Sequence, residues 1–158
     1  MITSRTRHWP ASPGFTLIEM MMVVVIIGAM LAFGLPYFRS ATTKSDARSA
    51  LDAAAALHAL TKQTAVQRGR VTRLVMDRSA GTMVVVANKV TGTGVDTIGR
   101  VQSLASRFGV TFTTSPTRDT LMFTPRGLGT ESGDTRIIII KGGFRDTLMI
   151  SSAGRMIR

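Results

Sequence analysis

The chain has 158 residues, which allows one globular domain with part of the length committed elsewhere. It carries 20 Lys and Arg residues against 9 Asp and Glu residues, a formal net charge of +11, and such a field attracts polyanions such as nucleic acid or anionic lipid headgroups. It has no cysteine, which excludes disulfides and thiolate metal sites.

The first elements in chain order are a short polar, basic stretch at residues 1–14 and an apolar segment at residues 15–38. Glu19 is the only charged residue of the apolar segment. A helix of that length spans about 36 Å, enough to cross a hydrocarbon core of about 30 Å. The segment therefore predicts a single transmembrane helix.

Residues 39–69 predict an amphipathic continuation of this helix. Small and apolar side chains recur there at steps of three and four residues, namely Ala47, Ala50, Leu51, Ala54, Leu57 and His58. Gly69 stands where a helix C-cap is expected. The two stretches together predict one helix of about 50 residues, kinked near Gly34 and Pro36 because a proline removes a backbone hydrogen bond.

Residues 70–158 predict a β-rich globular head. Turn residues separate short β-type runs, and the expected strands are 71–77, 82–87, 110–114, 121–124, 136–140 and 144–151. Residues 78–81 and 141–143 are expected to form hairpin turns, and residues 88–99 a long loop. The predicted fold class is α+β: a long N-terminal helix packed on a C-terminal antiparallel β-sheet.

Glu19 is hard to explain by packing, since a charge in hydrocarbon costs about 2.5–3.5 kcal/mol on insertion scales. An ordinary signal peptide keeps acids out of its hydrophobic core and is cut after that core, whereas here a glycine precedes the core. A cut after Gly14 would retain the helix and create a new amine on Phe15. That amine could neutralise Glu19 of a neighbouring copy. The alternative is an ordinary signal anchor that happens to contain an acid.

The start of the apolar segment resembles the leader motif of the type IV pilin and type II secretion pseudopilin superfamily, through Gly14, Phe15, Thr16, Leu17, Ile18 and Glu19. The resemblance implies cleavage after Gly14 by a prepilin peptidase, N-methylation of Phe15, and filament assembly guided by Glu19. It implies other pilin or pseudopilin subunits, the peptidase and the inner membrane as partners. The head is then expected in the periplasm, and the assembled filament in the periplasm or outside the cell.

Counting basic residues does not select this orientation. Arg39, Lys44 and Arg48 follow the apolar segment, against Arg5 and Arg7 before it, so the positive-inside rule does not place the N-terminus inside. The leader motif alone sets the expected topology.

The C-terminal half resembles the GspH/FimT group of this superfamily, through the segments 123–127 (FTPRG), Gly129 and 150–155 (ISSAGR). That group includes a pseudopilin near the tip of the type II secretion filament. It also includes minor pilins that bind DNA for uptake through arginines of a G-R-x-R tail. Here one more residue separates Arg155 from Arg158, and on a strand that spacing puts the two candidates for DNA binding on opposite faces.

Other candidate sites favour structural roles. Arg68, Arg70 and Arg73 form a second basic cluster, for which charge complementing a helix C-terminus is the simpler interpretation. His58 lies at a mid-helix position, which favours a packed or surface histidine over a base or ligand. The aromatic residues of the head are expected in the core rather than stacked on bases, and they are Phe108, Phe112, Phe123 and Phe144.

Motifs for catalysis, metals or cofactors were not found in the sequence: Gly92, Gly94 and Gly99 lack the spacing of a dinucleotide-binding loop. The first hypothesis is therefore a non-enzymatic minor pilin or pseudopilin of a type II secretion or type IV pilus filament. A minor pilin that binds DNA for uptake is the alternative within that class. A permanently anchored periplasmic binding module is the alternative from another class.

Overall fold

The computed structural model describes residues 14–157, with the side chains of residues 34–36 left out. Helix α1, Leu17–Arg68, has 52 residues, which confirms the prediction of one helix of about 50 residues. The chain divides into two compact units with the boundary between Arg39 and Ser40.

The second unit contains the β-structure. Its elements after α1 are β1 (Thr72–Asp77), β2 (Thr82–Asn88), β3 (Val95–Ser103), α2 (Leu104–Phe108), β4 (Thr111–Ser115), β5 (Thr120–Phe123), β6 (Thr135–Lys141), β7 (Phe144–Ile150) and β8 (Met156–Ile157). The first sheet has the order β3-β2-β1-β5 and the second the order β4-β6-β7-β8, and every pairing is antiparallel. The predicted α+β fold class is confirmed.

The part of α1 that belongs to this unit packs through the face that its periodicity predicts. All six predicted positions are at most 8% exposed, and Ala47, Ala50 and Ala54 are fully buried. The same hydrophobic cluster contains residues of both sheets, such as Leu74 of β1 and Ile139 of β6. Alanine on the buried face lets a helix lie close to a sheet, because it adds little volume between the two backbones.

Gly69 ends α1 as predicted. Its φ of 59° is in the left-handed region, which glycine adopts without strain. The Arg70 N–H donates to the Ala65 carbonyl at 3.2 Å, and the Gly69 N–H donates to the Val66 carbonyl at 3.4 Å. These two bonds form a Schellman motif, which satisfies carbonyls that the helix would otherwise leave free.

The prediction of a loop over residues 88–99 is wrong for its second half. Strand β3 begins at Val95, which pairs with Asn88, and residues 95–99 belong to the strand. Helix α2 was not predicted either. Its five residues are capped by the Ser103 hydroxyl, which accepts from the Ser106 N–H at 3.2 Å, and by Gly109 with a φ of 62°.

The edge of the first sheet at β5 is covered by the chain that follows it. The Thr130 N–H donates to the Met122 carbonyl at 3.2 Å, and the Met122 N–H donates to Glu131 Oε1 at 3.4 Å. Glu131 is held in place by an ion pair with Arg118. The outward backbone groups of Met122 are therefore satisfied within the chain.

Candidate assembly site

The predicted assembly segment forms the start of α1. The Thr16 hydroxyl accepts from the Glu19 N–H at 3.3 Å, and the Thr16 carbonyl accepts from the Met20 N–H at 3.3 Å. Thr16 is thus the N-cap of the helix, and Glu19 is its third helical residue, in the first turn. Thr and Glu at this spacing are the residues of a capping box.

This position in the first helical turn partly stabilises the carboxylate of Glu19. A carboxylate in the first helical turn is stabilised by the free N–H groups and by the positive end of the macrodipole, worth about 0.3–1 kcal/mol. That is less than the roughly 2.5–3.5 kcal/mol that a charge costs in hydrocarbon. In hydrocarbon, the local structure would therefore leave most of this cost uncompensated.

The helix that follows Glu19 presents apolar side chains to its surroundings. Leu17 is 78% exposed, Val24 68% and Phe33 83%. The most apolar stretch of α1 has a mean hydropathy of 2.4, and none of it is buried within the chain. Among residues 14–157, α1 alone is long and apolar enough to cross a membrane.

Helix α1 includes Gly34 and Pro36 and is not interrupted there. Proline lacks the N–H that would bond the preceding turn, so a bend at this place stays a prediction.

The two segments that carry the second resemblance are brought together by the structure. Phe123 forms a bridge with Gly129, and the Gly129 N–H donates to the Ala153 carbonyl at 3.3 Å. A Cβ on Gly154 would lie 2.7 Å from Cε1 of Phe123, and a Cβ on Gly129 would lie 2.6 Å from the Ser152 carbonyl oxygen. Both glycines are therefore required for close packing, which gives these motif positions a structural role.

Gly127 has a similar role at the C-terminal end of α1. Its N–H donates to the Thr124 carbonyl at 2.8 Å and its φ is 74°, so residues 124–127 form a tight turn. A Cβ on Gly127 would lie 2.9 Å from Cγ2 of Val66. The absence of a side chain lets the turn lie directly on the helix.

Of the predicted DNA-binding pair, Arg155 is described and Arg158 lies outside the described residues. Arg155 is exposed and follows the turn at residues 151–154. Its N–H donates to the Ser151 hydroxyl at 3.0 Å, and its carbonyl accepts from the Ser151 N–H at 2.8 Å. The turn fixes the backbone of Arg155 and leaves its side chain in solvent.

The three arginines of the second basic cluster have different surroundings. Arg70 forms an ion pair with Asp96 at 3.8 Å and donates to the Asn88 carbonyl at 3.1 Å, so it fastens the end of the β2–β3 hairpin. Arg68 is in the last turn of α1, where a positive charge complements the macrodipole. Arg73 is on β1 and half-buried.

His58 is a packed core residue, one of the two roles predicted. It is 3% exposed, and its ring meets the Phe123 ring edge-on with centroids 5.2 Å apart. Its Nε2 is buried without a hydrogen-bond partner among the described residues. Burial, and then the positive charge of Lys62, lower the pKa of His58 from its ordinary value of 6.5.

Two of the four aromatic residues predicted for the core, Phe112 and Phe123, are each 2% exposed. The other two, Phe108 and Phe144, are partly buried and pack against the same cluster. These contacts confirm the packing role that was predicted for all four.

Comparisons with known proteins agree with both resemblances. Residues 10–35 match the family model of the prokaryotic N-terminal methylation motif. Residues 50–154, well over half of the chain, match the family model of the type II transport protein GspH. The sequence has no significant match among curated proteins.

Three solved structures align with this chain. The type IV minor pilin FimU of Pseudomonas aeruginosa PAO1 aligns with a TM-score of 0.60 and 18% identity over 73% of this chain and 90% of that chain. A second crystal form of FimU aligns with a TM-score of 0.56 and 19% identity over 70% and 90%. The minor pseudopilin EpsH from the Type 2 Secretion System of Vibrio cholerae aligns with a TM-score of 0.45 and 12% identity over 75% and 93%. At these identities the likeness to FimU shows the fold.

Proposed function

Because this chain belongs to the GspH family of type II transport proteins and carries the N-terminal methylation motif, we propose that it is a subunit of a type II secretion or type IV pilus filament. Its membership confirms the predicted resemblance to minor pilins and pseudopilins. In the proposed role the chain is structural and carries out no catalysis. Its partners are other subunits of the same filament.

The observation that carries the proposal is the placement of Glu19. It is the one charge of the apolar segment, and it lies in the first turn of a helix whose apolar side chains are exposed. A carboxylate held there needs a cation that the helix itself does not provide. Cleavage after Gly14 would supply one, since it leaves the ammonium group of Phe15 just ahead of the N-cap.

The new ammonium group also needs a partner. A positive charge at a helix N-terminus is opposed by the macrodipole, so Phe15 is unfavourably placed against its own helix. An ion pair between the Phe15 amine of one subunit and Glu19 of another would compensate both charges inside the apolar environment. Assembly into a filament, with apolar helices covering one another, is then favoured over isolated subunits in the bilayer.

The proposed route is the one that the methylation motif and the resemblance to pilins and pseudopilins imply. A prepilin peptidase removes residues 1–14 at the inner membrane and the new N-terminus is methylated. The chain then waits as a single-pass protein with residues 40–158 in the periplasm, until α1 enters a periplasmic or extracellular filament.

Intact-mass measurement of the protein from the membrane fraction tests the processing step. We expect loss of residues 1–14 and one added methyl group on Phe15. The Gly14→Ala variant should keep its leader. Gly28→Ala is the matched control, because a Cβ at Gly28 meets nothing within 4 Å, and it should be processed normally. A full-length, unmethylated wild-type chain would instead support the anchored periplasmic binding module.

DNA binding for uptake is the second candidate function. The exposed side chain of Arg155, on a backbone fixed by the preceding turn, favours it. Arginine recognises phosphate by charge and by its planar set of donors. A salt-dependent mobility shift with duplex DNA that weakens on Arg155→Ala combined with Arg158→Ala would support it.

A further inference from the structure

Four basic side chains gather around the β6–β7 turn at one end of the unit formed by residues 40–158. Lys141 is at the centre: its Nζ donates to the Phe108 carbonyl at 2.6 Å and to Asp46 Oδ2 at 2.5 Å. Lys141 pairs with Phe144 across the two-residue turn Gly142–Gly143. This turn therefore lies against the C-terminal end of α2 and against α1 near Asp46.

The other three basic residues lie on α1, α2 and β7, close to residues that Lys141 contacts or pairs with. Lys44 Nζ lies 5.9 Å from the centre of the Phe144 ring, and the Arg107 guanidinium lies 5.1 Å from the centre of the Phe108 ring. Arg145 follows Phe144 on β7 and is exposed. We call Lys44, Arg107, Lys141 and Arg145 the basic end.

The basic end has an excess of positive charge. Asp46 is the acid that the described contacts bring to it, and Lys141 compensates that charge. Asp146 lies two residues after Phe144, on the same face of β7, and it lines a cleft with Arg48 and Asp52, whereas Arg145 lies on the other face of the strand. Among the described residues, the exposed side chains of Lys44, Arg107 and Arg145 form no ion pair with an acid.

Lys44 and Asp46, which lie on the part of α1 in this unit, follow the apolar segment closely in the chain. Asp46 follows Phe38 by eight residues, which span at most about 29 Å even when fully extended. If residues 15–38 are in the bilayer, the basic end lies within reach of the headgroups. This proximity also gives a role to basic residues such as Lys44, whose position after the membrane segment runs against the positive-inside rule.

We propose that the basic end binds the anionic phospholipid headgroups of the membrane that holds α1, and so holds the globular unit against the bilayer before assembly. The inference rests on the proposed insertion of α1 into the membrane. Each basic group near an anionic surface changes the ratio of bound to free states by about fivefold, and the effect falls off within a Debye length of about 10 Å at 0.1 M salt.

The absence of cysteine makes a site-specific test possible in the full chain. Gly143→Cys places one thiol at the tip of the β6–β7 turn, where an added Cβ meets nothing within 4 Å. A spin label on this thiol reports collisions with a nickel-chelating lipid in nanodiscs. We expect a higher collision rate in phosphatidylcholine mixed with phosphatidylglycerol than in phosphatidylcholine alone, and a loss of the difference at high salt.

Two triple variants, each of which removes three positive charges, distinguish an effect of the basic end from an effect of the net charge of the chain. The test variant replaces the exposed members of the basic end by glutamine: Lys44, Arg107 and Arg145. The control variant does the same at three exposed positions on other loops and strands: Lys89, Arg100 and Arg126. We expect the test variant to lower the ratio of lipid-bound to free states by at least about tenfold, while the control keeps the response of the unsubstituted chain.

The outcomes separate this inference from the proposed function. If the chain is not retained in nanodiscs after alkaline washing, membrane insertion itself is wrong. If it is retained but the label at residue 143 responds equally in both bilayers, or both triple variants lose the response equally, the lipid-binding surface is refuted and insertion stands. A label that responds to added duplex DNA and not to phosphatidylglycerol would refute it in favour of a nucleic-acid surface.

Discussion

Replacing Glu19 by valine should separate membrane insertion from filament assembly. The N-cap bond uses the backbone N–H of Glu19, so the start of α1 is retained in the variant. Insertion should not suffer, because a charge that costs up to about 3.5 kcal/mol in hydrocarbon is removed. Association should weaken by the value of one buried bond to a charged group, about 1.5–3 kcal/mol, which is roughly a 10- to 150-fold loss in affinity.

The assay compares two fractions from cells whose secretion or pilus machinery is intact. Carbonate-resistant membranes report insertion, and cross-linking of sheared or membrane-bound filaments reports incorporation. Met20→Val is the matched control, since it changes the next exposed residue of the same apolar surface without removing a charge. Glu19→Gln removes the charge while keeping the shape, and it should fail in assembly as Glu19→Val does.

Normal incorporation of Glu19→Val into filaments would refute the reasoning, because assembly would then not depend on an ion pair between Glu19 and the amine of another subunit. Loss of the variant from the membrane fraction would refute it differently, by giving Glu19 a role in insertion itself.

Three further predictions concern the globular unit. Gly154→Ala should lower the free energy of unfolding by about 2–4 kcal/mol in a thermal melt, from left-handed backbone strain and overpacking, whereas Gly143→Ala should be nearly neutral; equal melting temperatures would contradict this. Because burial lowers the pKa of His58 below 6.5, the unfolded state binds its proton at higher pH, so stability should be full above pH 6.5 and decline as the pH falls below it. Replacing His58 by Gln should flatten that decline, and an unchanged slope in pH-dependent melts would contradict it. If DNA is bound, Arg155→Ala combined with Arg158→Ala should weaken a salt-dependent mobility shift; no shift at low salt with the unsubstituted chain removes this candidate.

The helix was predictable from the sequence because several local signals agree. The three- and four-residue spacing of apolar residues, the small side chains and the terminal glycine all predict the same helix. In the structure the periodic positions from Ala47 to His58 are buried on one face, and the helix ends before Gly69. The β6–β7 turn was predictable for a similar reason, since Gly142 takes a φ of 56° in a two-residue connection.

The elements that were missed lack such signals. Strand β3 is paired on one side and mostly exposed, so its sequence has no alternation of apolar and polar residues. Helix α2 is too short to show a period, and its first N–H groups, those of Leu104 and Ala105, donate to the Gly81 carbonyl of a distant turn. The contact between Gly154 and Phe123 joins residues far apart in the chain, which spacing alone does not reveal.

The covered edge at β5 determines how the first sheet can be extended. Unpaired amides and carbonyls on an edge strand are a template for strands of other molecules. At Met122 that template is already occupied by Thr130 and Glu131, so an incoming strand must add at β3, beside Asp96 and Arg100. In the first sheet, pairing with a strand of another molecule is thus limited to one charged border.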